Sequence, residues 1–580
     1  MMLSAAVRFT APLLAAAGAC AAGCASLELP LPERTERAPG VAITVEEVPA
    51  EDAWRVYYSL DAPAAGLELG GGGAPFRREA WGVAVAGAEA SWRSAGGRER
   101  LCFSRPARVV SVSFRAGSVP PPEEPGLALA WSDGSRVLDT GHLLARPLES
   151  CDGEGGPPAA EDPAHRFTFR TTPGRAVRLP GAAAAGELRW EPPAGGGAAA
   201  TWVYFGAVEP VEGGAATVLL DPGLPTRLRS GLAEAVPRLA EDLGARADAA
   251  GPAPLFVLVA WGGEDGPGAS IATAARPGVL LASARGAGWR EEDGGERPDW
   301  HAGIARGLFR SRALAAPPPE EGAAWLPEAA SEYLGSEAAV AYGGGDEAEA
   351  GRRLVARAND CLVRLGGRNL PAAAEADPEV WGSCGTVAMA AADGALRRGT
   401  PPRGLAALFG RLFEHAAATG GYDARAFLGG LQELGAEPRA VADLRWLLRG
   451  EGAAEGDRFL QRLLGHAGLR AQRVAPEDAL AAGSVEPDTL GAAVARALGR
   501  CYCGAGEGPS CDPAATGRGA SALAGEPIAA DPRAAWDRLR AAIARGAALP
   551  VTLAGEEVTL FCTEDAYDPT WTSLLAPPEP

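Results

Sequence analysis

Lysine is absent from this sequence: all 54 basic side chains are arginine, and they face 73 acidic ones, for a net charge of −19. Phosphate polymers and anionic membrane surfaces need a concentrated basic footprint. No arginine-rich block supplies one, so nucleic acid is excluded as a partner. Histidine is scarce at 5 residues, methionine at 3, and aromatics make up 6% of the chain. Gly-x-Ser-x-Gly does not occur. The glycine runs at Gly70–Gly73 and Gly195–Gly197 follow no pattern that would cradle a dinucleotide, and they read as loop tips. Beyond the N-terminus no stretch is apolar for the ~20 residues a membrane-spanning helix requires. What the chain does have is length, 580 residues at 47% apolar, which is enough for three or four domains with real cores. Glycine (78) and proline (49) together stay below the share, roughly 25–30%, that marks low-complexity disorder.

Arg8 is followed by a short apolar run, Phe9 to Gly23, ending in Ala21-Ala22-Gly23-Cys24. The run is too short for a permanent span and reads as a secretory signal. Its last four residues resemble the lipobox of bacterial lipoproteins, which implies lipidation at Cys24 and a place on the periplasmic side of a bacterial cell envelope. Ala21 stands where leucine is usual; Cys20 is the weaker candidate, and plain cleavage near Ala22 the competing reading. The membrane is then met through an N-terminal lipid only. Eight cysteines follow: Cys102, Cys151, Cys361, Cys384, Cys501, Cys503, Cys511 and Cys562. In an oxidising compartment an even set favours disulfides over metal sites. Order along the chain suggests Cys102 with Cys151, Cys361 with Cys384, and two bridges in the tail, although order alone does not fix connectivity. A zinc site among the tail cysteines is disfavoured because Cys501-x-Cys503 is not a CxxC knuckle.

The periodicity of the apolar residues divides the chain into a signal peptide (1–24), a linker (25–39) and four folded regions. From 40 to 225 the period is two, as in Val41, Ile43, Val45 and in Val110, Val112, Phe114, with a hairpin signal at Asp133-Gly134. This is a β domain of sandwich type. From 226 to 345 helical faces alternate with short apolar runs, Leu255–Ala260 and Val279–Ala282, which is an α/β pattern. From 346 to 465 the pattern is helical, cleanest where Leu405, Leu408, Phe409, Leu412 and Ala416 keep one face. The region 466–580 is a small cysteine-containing appendage with one helix, Trp536–Ile543, and two strands near Val551 and Val558. The expected class is α+β multidomain.

The segment Trp300-His301-Ala302-Gly303-Ile304-Ala305, then Trp325-Leu-Pro-Glu328-Ala-Ala-Ser-Glu332-Tyr333, resembles the paired zinc helices of gluzincin metallopeptidases, specifically the glycyl aminopeptidase-like family. Residues Trp381–Arg397, Gly404–Leu408, Gly420–Phe427 and Leu447–Gly450 are similar to that family's C-terminal helical domain. The resemblance spans roughly residues 40 to 465. It implies a thermolysin-like α/β domain, a helical domain, and a tail that is a reduced PDZ-like domain. It further implies His301 and Glu328 as metal ligands and zinc as cofactor.

HExxH chemistry works because residues four apart lie one helical turn apart, so two imidazoles grip one zinc while the glutamate between them polarises its water. Here the glutamate is Ala302 and the second histidine is Ala305. The other histidines, His142, His165, His415 and His466, are isolated from one another. Trp381 stands near where the resemblance places a tyrosine, and Gly268–Ile271 lacks the acid of the substrate-binding edge strand. Two ligands are one fewer than a catalytic zinc needs, and loss of the general base alone removes roughly 10²–10⁴ in rate. The expectation is a non-catalytic relative, without cofactor, whose partners are peptides or envelope proteins. The alternative is an active zinc hydrolase that completes a remodelled site around His301 and Glu328 with Asp299 or Glu332. Cys384 reads as a disulfide partner of Cys361 and not as a nucleophile.

Overall fold

A computed structural model of the chain describes residues 40–70, 77–95, 98–115, 128–151, 163–192, 200–245, 254–265, 268–290, 300–343, 346–365, 379–449 and 456–474, with shorter pieces within 370–377 and 479–577. Cys20, Cys24, Asp299, Cys501, Cys511 and Cys562 lie outside the described residues.

Two sheets form the N-terminal region. The larger contains β1 (Val41–Val48), β2 (Ala53–Leu69), β3 (Trp81–Val85), β4 (Ala90–Ala95), β5 (Arg98–Arg115), β8 (Ala145–Leu148), β9 (His165–Arg170) and β12 (Glu187–Trp190). The smaller contains β6 (Ala128–Ala130), β7 (Arg136–Asp139), β10 (Ala176–Leu179), β11 (Ala182–Ala185) and β13 (Trp202–Gly206). The alternation in β1 puts Val41, Ile43 and Val45 in the core, and Trp54, Phe169 and Phe205 close the space between the two layers. Asp133-Gly134 does turn β6 into β7, with Gly134 at φ +81°, a left-handed geometry that glycine takes without steric cost.

The third sheet belongs to the α/β region, in the order β14 (Val211–Gly213), β15 (Ala216–Leu220), β16 (Leu255–Trp261), β18 (Val279–Arg285), β17 (Ser270–Arg276). It takes in Val211–Leu220, which alternation alone assigns to the preceding β domain. The reason is pairing: β15 runs parallel to β16 and β16 to β18, so β15 is a core strand of an α/β sheet and not a sandwich edge. The short α1 (Arg77–Ala80) lies in the N-terminal region, and α2 (Thr226–Ala245) follows β15 and covers it. Sheet two packs on sheet three through Trp131, Trp202, Tyr204, Leu219, Phe256 and Leu281. Asp221, fully buried, joins them: it accepts hydrogen bonds from Gly223 N (2.8 Å), Trp261 N (3.0 Å) and Ser132 N (3.2 Å), and from the Ser132 hydroxyl.

The helices follow: α3 (Trp300–Ala315), α4 (Trp325–Gly343), α5 (Glu347–Leu365), α6 (Val380–Arg397), α7 (Leu405–Thr419), α8 (Ala424–Glu433), α9 (Pro438–Arg449) and α10 (Asp457–His466). Disulfides join Cys361 on α5 to Cys384 on α6, and Cys102 on β5 to Cys151. In the tail, α11 (Pro532–Arg545) accompanies a sheet of β20 (Tyr502–Cys503), β24 (Glu556–Phe561), β23 (Ala548–Leu553), β21 (Ala520–Leu523) and β22 (Glu526–Pro527). A separate antiparallel pair, β19 (Gln472–Val474) with β25 (Leu574–Ala576), lies beside the helices. The tail is therefore less separate than its composition suggests, since Leu575 and Ala479 share one buried core with α5, α6 and α10.

Candidate functional site

Helix α3 is wedged between the third sheet and α4. Its apolar residues recur at helical spacing, so Ile304, Ala305 and Leu308 turn to the sheet and are fully buried. Close approach on both sides depends on missing side chains. A Cβ on Gly307 would overlap Leu280, and one on Gly335 of α4 would come within 3.0 Å of the Ala302 carbonyl. Ile271 of the edge strand β17 lies against Gly303, 3.5 Å from the point a Cβ would occupy.

This packing sets the level at which residues of the two helices meet. Ala302 lies beside Gly335, Arg306 pairs with Glu332 at 3.3 Å, and Arg310 pairs with Glu328. The helices are antiparallel, and each step of four along α3 is answered on α4. Both ion pairs are partly exposed, with Glu328 the more so at 58%, which caps each at about 0–1 kcal/mol.

His301 is elsewhere. It is half-buried in the first turn of α3, with its ring stacked on Trp300 at a centroid distance of 3.6 Å. From 301 to 310 is nine residues, about 13 Å of helix at 1.5 Å per residue. The structure thus gives the two candidate ligands different partners at different levels of the helix pair. Glu332, a third candidate, is engaged by Arg306.

Whether these residues suit the zinc of the resembled family is a question of donors. Position 305 is a methyl group sealed in the core, position 302 is another methyl, and the one carboxylate at a ligand position is held by a guanidinium. Among the described residues no three His, Cys, Asp or Glu side chains gather as a metal site. The set does not fit a catalytic zinc.

The surrounding residues are used for architecture. Tyr333 donates to Asp393 at 2.9 Å, and burial first, then the Asp393 charge, pushes its phenol well above the ordinary range, so it stays protonated. Asp393 also accepts from Leu405 N at 2.6 Å, at the start of α7, and pairs with Arg397. Trp381 lies flat on Trp325, with centroids 4.7 Å apart. The residues that sequence reasoning overlooked are Arg306 and Arg310. Their signal was present: two arginines four apart on one helix, and two glutamates four apart on the next.

No family model matches the sequence, and no curated protein matches it. Solved structures do. An aminopeptidase N family protein from Idiomarina loihiensis superposes with a TM-score of 0.55 at 11% identity, over 93% of this chain and 98% of that one. Yeast LTA4 hydrolase gives a TM-score of 0.38 at 13% identity, over 70% of this chain and 66% of that one. The first of these shows an aminopeptidase N-like fold, with its β region ahead of its helical region.

Proposed function

We propose that the chain is an exported, lipid-anchored member of the glycyl aminopeptidase-like group that has lost its zinc site, and that serves as a peptide-binding or scaffold module of the bacterial cell envelope. One observation carries the reading: Glu328 is bonded to Arg310, nine residues along α3 from His301, while Ala302 and Ala305 supply no donor in between. An aminopeptidase N-like fold built around such a helix pair keeps the walls of a peptidase without the group that polarises water. Lipidation at Cys24, the periplasmic location, and peptides or envelope proteins as partners belong to the same proposal, and rest on the leader sequence and on the charge balance. The mature chain needs no zinc under this reading.

The experiment is metal analysis of the purified chain by plasma mass spectrometry, run beside an assay for release of N-terminal residues from peptides. The expected result is substoichiometric zinc and no turnover. Stoichiometric zinc surviving dialysis, or turnover abolished by His301→Ala with Glu328→Ala, would overturn the proposal in favour of a remodelled hydrolase.

A further inference from the structure

The tail enters and leaves its own small sheet at one point. Asn359 on α5 is fully buried, and its amide nitrogen donates both to Ser484 O at 2.6 Å and to Leu575 O at 2.9 Å. Its amide oxygen accepts from Leu575 N at 2.8 Å. One side chain thereby satisfies three backbone groups from two segments far apart in sequence, and both of its own N–H groups are used. Ser484 and Leu575 are themselves fully buried. The segment between them holds β20 to β24 and α11, whose Leu523, Trp536, Leu539, Leu549, Val551 and Leu560 are buried in a core continuous with that of the helical region. Strong packing of the tail on the helical region is made by β25, against α5 and α10.

We propose that Asn359 is a clasp. It closes the two ends of the C-terminal module onto α5, and its loss lets the module come away as a unit while the rest of the chain stays folded. The hydrogen bonds favour this over general adhesion, because a buried amide that loses its partners cannot be repaired by water without opening the joint. Among the described residues no disulfide crosses the joint. Cys102–Cys151 and Cys361–Cys384 consume the earlier pairs, and Cys501, Cys503, Cys511 and Cys562 all fall between Ser484 and Leu575.

The test is limited proteolysis of the full chain with non-reducing gels, comparing wild type with Asn359→Leu. That substitution keeps the size of the side chain and strands Ser484 O and both polar groups of Leu575. The result expected is release of a C-terminal fragment beginning between 467 and 485 about 100-fold faster than in wild type, with the larger fragment still resistant. A second variant ending at residue 573 removes β25 without touching α5, and gives the same release if Asn359→Leu fails to fold. A tail equally resistant in both variants, or digestion of the entire chain at one rate, overturns the clasp.

Discussion

Rebuilding the motif on α3 separates a missing ligand from a missing site. In the double variant Ala302→Glu with Ala305→His the helix would again read HExxH. Position 305, however, is fully buried in the core that α3 shares with the third sheet. Placing an imidazole there overpacks a filled core, at about 1–3 kcal/mol. It also buries ring nitrogens without a partner, at about 1–3 kcal/mol more. The variant should therefore lose ~2–6 kcal/mol of stability. Zinc could offset this only by binding: an excess of 100 times its Kd would return about 2.7 kcal/mol. The third candidate ligand, Glu328, would also have to leave Arg310, at about 0–1 kcal/mol. The assay is urea unfolding with and without micromolar zinc, beside metal analysis. The expectation is a lower midpoint that zinc does not restore. A variant as stable as wild type that retains one zinc per chain would refute both the burial argument and the level argument.

Removing the Cys361–Cys384 bridge by a double serine substitution should cost ~3.4 kcal/mol from the chain entropy of its 23-residue separation, and removing Cys102–Cys151, at 49, ~4.1 kcal/mol; denaturant midpoints under oxidising conditions measure both. Tyr333→Phe should lose about 1.5–3 kcal/mol, the worth of a hydrogen bond to a charged group, since Asp393 keeps Leu405 N and Arg397 and loses only the phenol; an unchanged midpoint would show that the phenol contributes nothing. The pH dependence turns on Glu68. Burial alone would raise its carboxyl, but Arg98, Arg100 and Arg146 converge on it, outweigh burial and hold it below its ordinary range. A depressed folded-state value contributes stability that is complete above the unfolded value of 4.5 and is lost as pH falls below it. Glu68→Gln should therefore flatten the acid side of the stability profile below about pH 4.5 and lower stability at neutral pH; a profile parallel to wild type would rule this out.

The legibility of the chain follows from how local each signal is. The alternation of β1, the Asp-Gly turn, and the one-sided apolar face of Leu405–Ala416 are satisfied within a few residues, and the structure shows each of them. The placement of β15 could not be read this way, because a parallel pair is decided by a partner that lies beyond an intervening helix. The candidate site shows the same division. That Ala302 and Ala305 cannot bind a metal is a property of two residues and is plain in the sequence. Where Glu328 points is a property of the fit between two helices: Gly335, which has no side chain, lets α4 approach α3 closely, while Gly307 lets α3 close on Leu280 of the sheet, and this packing goes with the arginine each glutamate meets. The arginines then matter as much as the alanines. Glu328 and Glu332, one turn apart on α4, would repel each other if left unpaired. Arg306 and Arg310 neutralise Glu332 and Glu328 in turn, so the two carboxylates of α4 are each compensated from α3.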